Sequence, residues 1–207
     1  MTGWVLCGTT AGMAARKNYH HGNLRDALVE AARDVLTARG EEGLSLREVA
    51  RAAGVSPAAP YHHFKTKEEL LAAVVVSGFH ETYLAMKDAQ AVASPDPNDQ
   101  LVAVGLGYII FAVRHPAVFK LMFRRMDVAE QTLARIKDDT MNTGKALYDA
   151  LAAVHQAKGL RRDVEVDAHL CWSVVHGLSM LYIEGVLVEQ DPIKHARDVL
   201  VRLMGSF

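Results

Sequence analysis

Apolar residues recur along this chain three and four positions apart, the repeat of helices that bury one face. Leu24, Ala27, Leu28, Ala31, Val35 and Leu36 form one such stripe, with Asn23 placed to cap its start and Gly40 to stop it after Arg39. Ser45-Leu46-Arg47-Glu48 is a capping box, which predicts a short second helix ending at Gly54. Ser56 followed by Pro57 reads as a cap and a first helical position, so Pro57 to Phe64 is expected to be a third helix. Thr66-Lys67-Glu68-Glu69 is a second capping box and opens a long fourth helix towards Ala91. Ser94-Pro95-Asp96-Pro97-Asn98 reads as a linker. Beyond it the pattern predicts helices over Leu101 to Arg114, Ala117 to Met126 after the His115-Pro116 break, and Val128 to Lys158 up to Gly159. Asp163 caps an apolar helix reaching about Glu189, and Asp191-Pro192 caps a last one through Met204. No stretch alternates as a strand would and no repeat is visible, so the expectation is an all-α fold of about nine helices.

Composition narrows the class. Half of the residues are hydrophobic and 23% are charged, which is the make-up of a chain with a real core. The formal net charge is -1, so any contact with nucleic acid has to come from a local surface. Cys7 and Cys171 make no disulfide framework, and two lone thiols suit a reducing cytoplasm. No run reaches about 18 uncharged apolar residues, so no membrane partner is expected. The first residues, with Trp4, Val5 and Leu6, lack the positive start of a signal peptide and read as a tail; Met13 is an alternative start.

The informative stretch is Glu48-Val49-Ala50-Arg51-Ala52-Ala53-Gly54-Val55-Ser56. A helix-turn-helix needs small residues where two helices cross, glycine where the turn demands a positive φ, and an apolar residue to lock the corner. Ala50, Ala53, Gly54 and Val55 meet those demands in order. The helix after such a turn is the one that enters the major groove.

Here the chain resembles the TetR family of repressors. The resemblance lies in Leu46 to Ser56, then Tyr61-His62-His63-Phe64, then Lys67-Glu68-Glu69-Leu70, and covers about Asn23 to Val74. It implies an N-terminal helix-turn-helix joined by a long helix to a C-terminal helical domain that binds a ligand and dimerises. The corresponding division is an arm over 1–22, a DNA-binding head over 23–70 and a body over 71–207. It implies that the Tyr61 hydroxyl donates to a phosphate, that Lys67 binds phosphate beside the free amides opening the fourth helix, that His62 faces the groove and that Phe64 is core. Ser45 and Thr66 are caps that can also touch phosphates. Ser45, Arg47, Ser56, Ala58, Ala59, Tyr61, His62, Lys65, Thr66 and Lys67 are therefore the candidate DNA-binding residues. A half-buried core tyrosine is the plainer reading of Tyr61.

The chain departs from the common family pattern at Pro57-Ala58-Ala59-Pro60, where many relatives carry Lys, Gly, Thr and Leu. Alanine methyls can pack on thymine but cannot hydrogen-bond a base, so shape readout is expected to contribute. Arg16 to His21 contains no acid and is either an arm that follows the DNA or a solvated tail. From Met13 to Leu70 nine basic residues face eight acidic ones, so the motif rather than the charge carries the DNA expectation.

In the body, Phe111, Phe119, Met122, Phe123 and Met126 cluster around the His115-Pro116 break, and His169, Trp172, His176 and Met180 share one helix face. These nine are the candidate ligand-binding residues; a plain helical core is the alternative. Trp172 to Gly177 resembles the Trp-x-x-x-His-Gly signature of one TetR C-terminal subgroup. The last two helices carry apolar residues on more than one face, and the resemblance implies that they pair with their mates in a homodimer, with Gly177, Leu181, Ile193, Ala196, Leu200 and Leu203 as candidate interface residues.

The expected function is ligand-responsive regulation: a repressor leaves double-stranded operator DNA when a small apolar or aromatic effector binds. A DNA-binding regulator controlled by a protein partner is the alternative. No Ser-His-Asp arrangement, phosphate loop or His-Glu-x-x-His motif points to an enzyme, and no cofactor is expected. The adjacent pairs His20-His21 and His62-His63 diverge by about 100° on a helix, which is poor geometry for holding one metal ion.

Overall fold

The computed structural model describes residues 24–126 and 130–205. The expected cap at Asn23, the arm, Cys7 and the expected helix start near Val128 lie outside the described residues. Among those described there are eight α-helices, one 3-10 helix and no strand: α1 (Leu24–Arg39), α2 (Leu46–Ala52), the 3-10 helix Ala59–His62, α3 (Lys67–Ala91), α4 (Pro97–Arg114), α5 (Pro116–Met122), α6 (Glu130–Lys158), α7 (Val164–Ile183) and α8 (Pro192–Met204).

The forward half of each capping box forms at its helix start. Ser45 Oγ accepts from the Glu48 amide at 3.2 Å and Thr66 Oγ1 from the Glu69 amide at 3.1 Å. In the second, the Glu69 carboxylate reaches back to the Lys65 amide at 2.7 Å instead of to the cap residue itself.

Three boundaries differ from the sequence expectation. The stretch read as a linker already holds a helix start: Asp96 Oδ1 accepts from the Asn98 amide at 2.8 Å and Pro97 takes the first helical position, so α4 begins four residues before Leu101. The helix expected to reach Glu189 stops at Ile183, because Gly185 turns the chain out at φ +67°. The third helix is not α-helical. Ala59, Tyr61 and His63 each donate to the carbonyl three residues back, at 3.0, 3.2 and 3.0 Å. Pro57 and Pro60 supply no amide, so the i to i−4 ladder has no donor at Pro60, and the tighter 3-10 turn uses the amides that remain. Ser56 accordingly makes no side-chain cap here; its carbonyl takes the Ala59 amide instead.

α3 organises the molecule. It packs on α1, α4, α5 and α6. One apolar core runs through it, from Leu28 and Val49 at one end to Leu151 and Leu200 at the other. α3 and α4 pack so closely that a Cβ on Gly107 would lie 2.5 Å from the Ala85 carbonyl oxygen. α1 is tied to α3 by Arg33, which is 8% exposed and grips the Glu81 carboxylate with both terminal nitrogens, one of them at 2.7 Å. Burial raises the Glu81 carboxyl, but the Arg33 guanidinium and Ser77 overcome that and hold it below its usual range. No single helix among the described residues is long and apolar enough to cross a membrane.

Candidate DNA-binding face and ligand cavity

The corner between α2 and the 3-10 helix is a Schellman turn. The Gly54 amide donates to Arg51 O at 3.2 Å and the Val55 amide to Ala50 O at 3.0 Å, with Gly54 at φ +69°. Phe64, 2% exposed, and the buried Pro60 anchor the element after the turn, and the Arg25 guanidinium covers the Phe64 ring from 5.3 Å. With its underside fixed, the 3-10 helix turns Tyr61, His62 and His63 outward; Tyr61 is 51% exposed.

The structure brings the ten candidate DNA-binding residues to one end of the head, at the starts of α2 and α3 and around the 3-10 helix. Ser45, Arg47, Ser56, Ala58, His62, Lys65 and Thr66 are exposed, while Ala59 and Lys67 are partly covered. The Lys67 ammonium donates to Glu41 O at 2.5 Å, which leaves two of its three protons for an anion. Arg51 and Arg39 are both engaged by Glu48, with Arg51 Nε at 3.2 Å, so neither offers a free charge next to the turn.

The body holds a cavity of about 320 Å³, lined by all of its long helices: Phe79 and Met86 of α3, Gly105 and Tyr108 of α4, Thr143, Leu147 and Tyr148 of α6, Trp172 and Val175 of α7, and Leu200 and Leu203 of α8. Its walls are almost wholly apolar. One buried polar group in the wall is the Tyr108 hydroxyl, 3.0 Å from His176 Nδ1 and accepting from Trp172 Nε1 at 3.3 Å. Burial pushes the Tyr108 hydroxyl far above the ordinary phenol range and the His176 imidazole below its own. Both groups are therefore neutral at pH 7, and the trio satisfies itself with Tyr108 donating to His176. Cys171, also in the wall, is a thiol pushed up to about 11 by burial and the nearby Asp167. Asp167 Oδ2 lies 2.8 Å from His155 Nε2 in a buried pair between α6 and α7. Among the described residues no group of three or more His, Cys, Asp or Glu is placed to hold a metal ion.

Of the nine candidate ligand residues, Phe123, His169 and Trp172 line the cavity. His176 stands one layer behind, through Tyr108. Phe119 is fully buried and backs the wall, its ring 5.4 Å from Tyr108 and 5.5 Å from His176. Phe111 packs on His115 instead, and Met122 fills the α3–α5 contact over Gly78. Met126 and Met180 pack against the core outside the lining. Sequence reasoning missed Tyr108, although a lone hydroxyl in the apolar run from Leu101 to Ile110 was a signal that it needed a buried partner. It also missed the α6 wall, whose residues are spread over a helix with a strong polar face.

The candidate interface set divides. Ala196 and Leu200 are 0% and 4% exposed within the single chain, and Leu203 lines the cavity, because α8 turns its apolar stripe onto α4. Within the single chain Ala196 and Leu200 are core positions, and Leu203 is partly buried. Leu181, at 40%, is exposed on α7, with Val166 at 62% and Leu170 at 47% on the same face. Gly177 lies on that face too, with open space where a Cβ would be, and Ile193 is partly buried.

Comparison with known proteins agrees with this architecture. Residues 28–74 match the family described as bacterial regulatory proteins, tetR family, and residues 101–204 match a tetracyclin repressor-like C-terminal domain. That second match does not speak to the Trp-x-x-x-His-Gly subgroup. The HTH-type transcriptional regulator YobS of Bacillus subtilis (strain 168) is 22% identical over 191 residues, 89% of each chain. The probable acrEF/envCD operon repressor of Escherichia coli (strain K12) is 26% identical over 160 residues, 75% of this chain and 73% of that one. Among solved structures, a Rhodococcus sp. RHA1 protein of unknown function superposes with a TM-score of 0.75 at 29% identity, over 90% of this chain and 97% of that one. The transcriptional regulator FadR from Bacillus subtilis in complex with stearoyl-CoA superposes with a TM-score of 0.70 at 15% identity, over 86% and 96%. With a glycine corner that aims an exposed tyrosine outward, a helical body behind it, and family matches that take in both, the chain belongs to the tetR family of DNA-binding bacterial transcriptional regulators.

Proposed function

We propose that this regulator is a homodimeric repressor that leaves its operator when a small, uncharged, apolar or aromatic molecule enters the cavity. One observation carries the reading: α3 starts at Lys67, a candidate DNA contact, and runs on to form cavity wall at Phe79 and Met86. A ligand that prefers one position of α3 therefore also prefers one position of the head, and this difference is what ligand-controlled release requires. The relative named as an operon repressor supports the sign of the response. The structural neighbour solved with stearoyl-CoA supports an apolar occupant, and here the neutral Tyr108–Trp172–His176 trio favours a molecule or chain without buried charge.

The homodimer is supported by the exposed α7 face of Val166, Leu170, Gly177 and Leu181, an apolar surface that a two-fold related copy could cover. Two heads could then reach half-sites one helical turn apart, about 34–36 Å.

The test is a fluorescence titration with Nile red, a neutral apolar dye, together with a gel-shift assay on duplex DNA selected from a random pool. The expected result is saturable dye binding that Val175→Trp, which fills the cavity from its wall, abolishes. A screen of uncharged apolar compounds should then yield dye competitors that also weaken duplex binding. Dye binding unaffected by Val175→Trp, or cavity-directed competitors that leave duplex affinity unchanged, refutes the proposal.

A further inference from the structure

The cavity and the DNA-facing head are joined by more than α3. Phe123, the C-cap of α5, turns its ring into the cavity, edge-on to His176 at 4.5 Å and 5.2 Å from Phe119. The next residue, Arg124, reaches the head. Its Nη2 donates to Glu68 Oε2 at 2.8 Å, in the first turn of α3, and its Nε lies 3.4 Å from Glu41 Oε2, in the loop after α1. The Glu41 carbonyl is the group that holds the Lys67 ammonium. Two consecutive residues thus connect the cavity wall to both segments that hold Lys67.

One end of this connection is tight. α5 lies against α3 at Gly78, where a Cβ would come within 2.8 Å of Met122 Sδ and 2.9 Å of Val118 Cγ1. α5 side chains thus pack directly on the α3 backbone, and a displaced Phe123, the C-cap of α5, is expected to move Arg124, the next residue in the chain. The other end is loose. Arg124 Nε is buried without an aligned hydrogen bond, although the Glu41 carboxylate is close. A buried donor left unpaired is costly, so a second seating of the guanidinium, squarely on Glu41, is within reach. Two discrete seatings are what a relay between sites needs.

We infer that Arg124 is the positioning residue through which the head reads occupancy of the cavity. With Phe123 in its present place, the guanidinium clamps Glu68 and Glu41 and sets Lys67. A molecule that displaces Phe123 re-seats the clamp and shifts Lys67 relative to the DNA. This inference rests on the regulator reading for its consequence at DNA, but the clamp itself can be tested without ligand or operator.

The experiment is hydrogen–deuterium exchange on the full chain, comparing wild type, Phe123→Ala, Arg124→Gln and the double variant. Exchange over residues 65–71 is expected to rise about threefold in each single variant, the scale of a partly exposed ion pair, and no further in the double. A charge swap, Glu68→Arg with Arg124→Glu, is expected to return it towards the wild-type rate. The same four proteins are then titrated with duplex selected from a random pool by wild type: Phe123→Ala should change Kd about threefold with Arg124 present and not at all in the Arg124→Gln background. Independent effects of the two substitutions overturn the inference. So does unchanged exchange at 65–71 in Phe123→Ala, or a rise spread equally over α4 and α7, which would mark Arg124 as a general stabiliser. Should Arg124→Gln not fold, Arg124→Lys takes its place, since it keeps the charge and loses the two-pronged grip. Failure of wild type to select any duplex counts against the regulator reading, while the exchange data still decide the clamp.

Discussion

Gly107 offers the sharpest test of the packing. It lies inside α4, where replacing glycine by alanine ordinarily stabilises a helix by about 1 kcal/mol. The structure predicts the opposite here. An added Cβ would sit 2.5 Å from both the Ala85 carbonyl oxygen and the Met86 Cα, and 2.7 Å from the Ala85 carbonyl carbon. Comfortable carbon contacts lie near 3.5–4.0 Å, so α4 would have to retreat from α3 by about 1 Å. These neighbours are backbone atoms and cannot swing aside. α4 is buried from Leu101 to Ile109, so the retreat loosens contacts along its whole length. Overpacking of this kind costs about 1–3 kcal/mol, and a clash with backbone belongs at the top of that range. After the propensity gain, Gly107→Ala should lose about 2 kcal/mol, or about 4–8 °C in Tm for a chain of this size. Gly144→Ala is the matched control: it is also inside a helix, but with nothing within 4 Å of the new Cβ, and it should gain about 0.5–1 kcal/mol. Urea unfolding of the two variants at one protomer concentration decides the matter. If Gly107→Ala proves as stable as Gly144→Ala, the close α3–α4 approach is not a property of the folded protein.

Tyr61→Phe should leave unfolding unchanged, because the residue is half exposed, yet weaken selected duplex roughly tenfold through loss of one hydroxyl–phosphate bond; a titration showing equal affinity would remove the tyrosine from the interface. Gly54→Ala has room for its methyl but not for its φ of +69°, so a loss of about 1–2 kcal/mol is expected in urea unfolding, together with weaker DNA binding; unchanged stability would contradict the left-handed corner. Leu170→Glu is expected to give a monomer by sedimentation, with the helical signal retained; a dimer that survives it excludes the α7 face. His176 is held below its ordinary value near 6.5 by burial, and His115 by burial and the Arg33 charge. The unfolded chain therefore takes up those protons first as pH falls. Stability should be flat above about pH 7.5 and decline from about pH 7 to 5, less steeply in His176→Gln; urea midpoints that rise on acidification would refute the assignment.

Local chemistry was the legible part. Ser45, Gly54 and Thr66 each act within four residues of chain, so their turn and caps could be read without knowing the fold. The misreadings came where two local signals competed. Pro57 favoured a helix start, but Pro60 three residues on removed the amide that an α-helix needs there, and the 3-10 form resulted. Asp96-Pro97 is the same kind of start as Asp191-Pro192, but it was masked by Pro95 beside it. Gly185 was overlooked because Val186 to Val188 prolong the apolar run past the true helix end. The cavity was less legible for a different reason. Periodicity says which side of a helix is covered, but not what covers it. Leu200 and Phe119 both sit on apolar stripes; one proved to face α4 and the cavity, the other to back the wall. Tyr108, from a helix more than sixty residues away, is what links His176 to the cavity.

Because the Tyr108 hydroxyl is engaged by both Trp172 and His176 and most of the lining is apolar, the cavity offers a guest few polar groups, among them those of Thr143, Tyr148 and His169. Recognition is left to contour and greasiness, which discriminate between near-analogues only weakly. Under the proposed function, a cavity built this way is expected to answer to a range of similar compounds, graded by how well each fills the space, giving up chemical fastidiousness for breadth.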